Sequence, residues 1–71
     1  MKLTVGRIVH YYRRGWEEPC AAIVTGVSPV ADHLADLVVF DAQSFAFEHG
    51  VSPDQTSERW WAWPPRSGNT P

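Results

Sequence analysis

Five short runs of β-branched and aromatic residues, none with the i, i+3, i+4 apolar spacing of a helix, restrict this chain to a β fold. Residues 5–12, Val-Gly-Arg-Ile-Val-His-Tyr-Tyr, form the first expected strand. Residues 20–27 form the second, and its side chains are apolar or small on both faces, as suits the middle of a sheet. Residues 37–40 are a third run. Residues 44–49 alternate Phe45 and Phe47 with Ala46 and Glu48, the period of a half-buried antiparallel strand. Residues 59–63 are the last, stopped by Pro64 and Pro65, because proline donates nothing to a ladder. The connections carry the usual breakers: Gly15 and Pro19, Ser28 and Pro29, Asp41-Ala42-Gln43, and the polar residues 50–58. Residues 32–36 read either as one helical turn or as a polar loop.

The expected architecture is therefore all-β: a small five-stranded antiparallel barrel or bent sheet of SH3-like or OB-like type. Residues 1–65 make one domain, and residues 66–71 are expected to be a disordered tail. Ile8, Ala22, Ile23, Val24, Leu37, Val39, Phe45 and Phe47 are the expected core. With 71 residues that core is small, and small domains usually need a disulfide, a metal or a partner subunit. A single cysteine, Cys20, rules out an internal disulfide.

Charge narrows the partners. Six Lys and Arg against eight Asp and Glu leave a formal net charge of −2. An acidic balance disfavours duplex nucleic acid as a partner, since phosphate binders carry a basic surplus. No apolar run approaches the ~20 residues that span a bilayer, and no export signal opens the chain, so a cytoplasmic location is expected.

No nucleophile–base spacing is evident around Cys20, His10, His33 or His49, and no paired metal ligands occur. The chain is read as a non-enzyme with no cofactor and no metal. Its aromatic residues say more. Three of four tryptophans lie within four positions; on a strand Trp61 and Trp63 share one face while Trp60 and Ala62 take the other. Either Trp61 and Trp63 fill the core with Trp60 at its rim, or one face is a stacking platform or a subunit interface. His10, Tyr12, Arg13, Arg14, Trp16 and Trp60 are the candidate ligand-binding residues, because guanidinium groups beside aromatic rings suit planar anions. Tyr11, Trp61 and Trp63 are the candidate interface of a homo-oligomer.

Val9-His10-Tyr11, Cys20-Ala21-Ala22-Ile23-Val24-Thr25, Leu37-Val38-Val39-Phe40 with Phe45 and Phe47, Gly50-Val51 and Trp61-Ala62-Trp63-Pro64 follow one another in an order similar to short uncharacterised proteins of actinobacterial tailed phages and prophages. The resemblance spans residues 9–64. It departs at Asp41-Ala42-Gln43-Ser44, where an Asn-Pro-Thr-Gly-like turn is frequent, and at Ala62, where histidine is common. It implies a phage origin and the host bacterial cytoplasm, but no activity. Three functions remain open: an anti-defence protein sequestering a small anionic, nucleotide-type ligand; an SH3-like module that inhibits or bridges a host or virion protein; and a single-stranded nucleic-acid binder, which the acidic balance puts last.

Overall fold

The computed structural model describes residues 2–65, so the expected disordered tail lies outside the described residues. Five antiparallel strands follow in chain order: β1 (Ile8–Arg13), β2 (Cys20–Val27), β3 (Ala35–Phe40), β4 (Phe45–Val51) and β5 (Arg59–Ala62). They form one sheet in the order β4-β3-β2-β1-β5. Four strands run as a meander and the fifth returns to pair with the first. That order fits the SH3-like alternative rather than the Greek-key OB barrel. The sheet curls into a half-barrel whose two edge strands, β4 and β5, face each other across the gap.

Each departure from the expected boundaries has a local cause. β1 starts at Ile8 because Gly6, at φ 93°, turns the chain, with Arg7 N donating to Thr4 O (3.2 Å). No helical turn forms at residues 32–36. Ser28 Oγ accepts from Val30 N and Ala31 N, Leu34 N closes a turn on Ala31 O, and β3 begins at Ala35. β5 ends at Ala62, one residue before Trp63.

Asp36 sits at two irregularities of the sheet. The β2–β3 register shifts between Val24 and Gly26, and the β3–β4 register shifts between Ala35 and Leu37. Such bulges increase local twist and curl a sheet toward closure. Asp36 sits at both, accepting from Gly50 N at 3.0 Å and lying 3.5 Å from His49 Nδ1. A side chain at Gly26 would meet the Asp36 carboxylate at 3.1 Å, so the residue is tied to the bulge.

The concave side holds the core: Leu3, Val9, Tyr11, Ala22, Val24, Ala35, Leu37, Val39, Val51 and Trp61, with Cys20, Val27 and Trp63 packed partly against it. Ala22, Val24, Leu37 and Val39 are buried as expected. Ile8, Phe45 and Phe47 are instead exposed, and Ile23 is only half-buried. All four lie on the convex side, because the registers put Val9, Ala22 and Val39 inward and their neighbours outward. On β1 both faces are apolar, so alternation alone did not select Val9 and Tyr11 as the inner pair.

Leu37→Ala is expected to cost about 2–5 kcal/mol by urea denaturation, the range for a buried leucine. Phe47→Ala, measured on dilute protein, is expected to cost no more than about 1.5 kcal/mol, the worth of its edge-on contact with Phe45. A loss at Phe47 as large as that at Leu37 would invert the faces of β4.

Candidate binding surfaces

Three surfaces gather the chemistry-bearing residues. The first is a cleft at one end of the barrel. Arg13 ends β1, Gly15 (φ 90°) turns the chain, and Trp16 N donates to Arg13 O at 3.0 Å. Trp16 then meets buried Tyr11 edge-on, with ring centroids 6.0 Å apart. Arg14 is held to the β4–β5 loop by its backbone N on Glu58 O (2.8 Å) and its Nη2 on Thr56 O (2.7 Å). Arg13, Arg14, Trp16, Glu58 and Arg59 line a cleft of about 300 Å³.

The arginines of this cleft are already engaged. Arg13 and Arg59 are cross-strand partners, an unfavourable placing for like charges. Glu48 resolves it from β4: its Oε1 accepts from Arg59 Nη1 at 2.7 Å, and its Oε2 lies 4.0 Å from Arg13 Nη2. Arg59 Nη2 also donates to His49 O at 2.7 Å. Arg13 Nε donates to the Tyr11 hydroxyl at 3.2 Å, and that bond is the main cause holding the Arg13 pKa above its ordinary value. Of the residues lining the cleft, Arg59 is also the one that ties β5 to β4.

The second surface is the convex face. Register partners point the same way, so Ile8, Ile23, Val38 and Phe47 form a continuous row across four strands. A neighbouring row runs Ala62, His10, Ala21, Phe40, Phe45. Ile8, Phe45 and Phe47 are 61%, 61% and 62% exposed, and Phe40 is 40% exposed. Phe45 packs edge-on against Phe47 at 5.9 Å and tilts toward Phe40 at 6.5 Å. The two rows contain no Asp, Glu, Lys or Arg. A tight turn sets the phenylalanines side by side. Asp41 Oδ1 accepts from Gln43 N (2.8 Å) and Ser44 N (2.7 Å), and these bonds hold its pKa below the ordinary carboxylate value. This is how Asp41-Ala42-Gln43-Ser44 makes its turn.

The third surface lies at the opposite end of β5. Trp61 Nε1 donates to His33 O at 3.0 Å, and the Trp61 ring meets Trp63 edge-on at 5.3 Å. A cavity of about 480 Å³ there is lined by Leu3, Asp32, His33, Pro53, Trp61 and Trp63 among others.

The candidate ligand-binding residues therefore divide. Arg13, Arg14 and Trp16 come together in the cleft. His10 and Tyr12 lie on the convex side, and Trp60 stacks on Tyr12 with centroids 5.3 Å apart and planes 8° from parallel. Two of the three candidate interface residues are buried in the single chain. Tyr11 and Trp61 are core residues, 2% and 6% exposed, because β1 and β5 turn them to the concave side; Trp63 is half-buried beside them. Glu58 and Arg59 also line the cleft, Glu48 contacts its arginines from β4, and Ile8, Phe45 and Phe47, expected in the core, lie on the convex side. An acidic residue alternating with phenylalanines on β4, with an arginine opening β5, was the available signal. Among the described residues, no three His, Cys, Asp or Glu side chains gather as metal ligands, and no helix is long and apolar enough to cross a membrane. No family model, curated protein or solved structure matches the chain.

Glu48→Gln is expected to lower stability by about 1–3 kcal/mol, the range for a charge-assisted hydrogen bond lost at a part-buried site. Arg14→Ser, which loses one exposed bond, is expected to stay within about 0.5 kcal/mol. Equal effects in urea melts would show that the Glu48 bridge does not close the barrel.

Proposed function

We propose that this domain is a non-catalytic protein-interaction module that works through its convex face. The observation that carries the proposal is the uncharged row Ile8–Ile23–Val38–Phe47, flanked by exposed Phe45. Contiguous apolar surface on a soluble domain marks a site where another surface binds. Depletion of charge with enrichment of aromatic residues is the composition of an interface centre. With the phage-like resemblance of the sequence taken as an expectation, the partners proposed for such a face are host or virion proteins.

The cleft of Arg13, Arg14, Trp16 and Arg59 supports a second function, capture of a small planar anion of nucleotide type. Trp16 is 42% exposed and offers a stacking ring beside guanidinium donors. The internal bonds of Arg13, Arg14 and Arg59, with Glu58 in the wall, rank it second.

A photo-reactive phenylalanine analogue at position 47 is expected to cross-link the chain to protein in the cell that produces it. The same analogue at position 16 is expected to give no adduct. Adducts from position 16 alone would reverse the assignment. The melting temperature is expected to stay constant with added nucleotides. A rise that Arg14→Ser abolishes would favour the cleft.

A further inference from the structure

We infer that the occupant of the convex face is a second copy of this chain, packed face to face about a two-fold axis. The inference rests on the interaction proposal above and names its partner. The first argument is charge. A two-fold axis sets the same rows opposite themselves, and rows without Asp, Glu, Lys or Arg bring no like charges together and leave none buried unpaired. A charged face of this kind would repel its own copy.

The second argument is area. At 150–250 Å² for a fully exposed ring, Phe40, Phe45 and Phe47 at their fractions of 40%, 61% and 62% offer roughly 250–400 Å². Ile8, Ile23 and Val38 extend this toward the ~800 Å² per partner of a standard interface. The third argument is shape. Two sheets stack about 10 Å apart with their inner side chains interdigitated, and the row crossing four strands supplies such side chains over the width of the sheet.

The fourth argument is need. Among the described residues the buried core has ten, all on the concave side, in a chain with one cysteine. Ala46 points inward on β4 yet remains exposed, so β4 is sparsely covered on either side. A copy packed on Phe45 and Phe47 would cover its outer side.

Light scattering coupled to size exclusion is expected to give, at micromolar concentration, twice the 8.0 kDa chain mass. Phe47→Asp and Ile8→Asp are each expected to return the mass to that of one chain with the β-type circular dichroism spectrum retained. Because both positions are exposed in the single chain, either variant alone suffices if the other fails to fold. A dimer that survives both substitutions overturns the inference. A single-chain mass for the parent also overturns it. If position 47 still cross-links to a different protein, the interaction proposal stands without self-association; no adduct from position 47 sinks both.

Discussion

The bridge from Arg59 to Glu48 and the carbonyl of His49 ties together the two facing edges of this half-barrel. β4 and β5 are the two edges of one sheet and share no ladder. They are joined by the Arg59 guanidinium and by one backbone bond, Trp61 N to Ser52 O at 3.1 Å. Joining them fixes the parity of both strands. Once Glu48 points inward to meet Arg59, Phe45 and Phe47 must point outward. Once Arg59 points inward, so does Trp61, two residues on. Exposed edges invite pairing with other chains, and the bridge blocks part of both at the cost of one partly buried ion pair. Glu48 also lies between the opposed Arg13 and Arg59 and offsets one of their two charges, so the edge bridge and the electrostatics of the cleft are linked.

Strand existence was legible because it depends on local composition. The cross-strand bridge was not, because it joins residues eleven apart across the barrel gap. β2 shows the contrast. Its residues 20–27 were readable to the residue, since a central strand is apolar on both sides whichever way it faces. β4 was readable as a strand but not as to which face is inward. Phenylalanine is the better core residue by transfer energy alone, and the alternative, Ala46 with Glu48, looks like a solvent face. The inward glutamate becomes reasonable only with Arg59 supplied from another strand. Asp36 is a similar case: it reads as a loop carboxylate and serves as the plug between two bulges.

The tryptophans were ambiguous for a different reason. An indole can be buried when its N–H finds an acceptor, and the acceptor for Trp61 is a backbone carbonyl, His33 O, in the β2–β3 connection. No residue type signals a carbonyl, so nothing in the sequence distinguished a core Trp61 from an interface Trp61. With that bond present, Trp61 caps the concave core beside Leu3 and Trp63. Trp60 is left to the outer side, where the Tyr12 ring covers one of its faces.

That stacked pair is the border between the two surfaces with binding chemistry. Tyr12 follows His10 on the convex side of β1 and precedes Arg13 and Arg14. Trp60 stands between Arg59 and Trp61 and is the register partner of Tyr12. A partner on the convex face would touch the row containing His10 and Ala62, directly beside the stack. A ligand in the cleft would touch Arg13 and Arg59, the next register pair on the other side of it. The lining residues of the two surfaces do not overlap. They nevertheless share β1 and β5 as a common support. The constraint runs one way in strength. Arg59 in the cleft is held by contacts that also tie β5 to β4, whereas the convex residues rest on the sheet beneath them and on one another. A partner can reorder Phe45 or Phe47 at little cost to the fold, but an anion that draws Arg59 from Glu48 must oppose barrel closure. That asymmetry is the physical reason for ranking the convex face above the cleft.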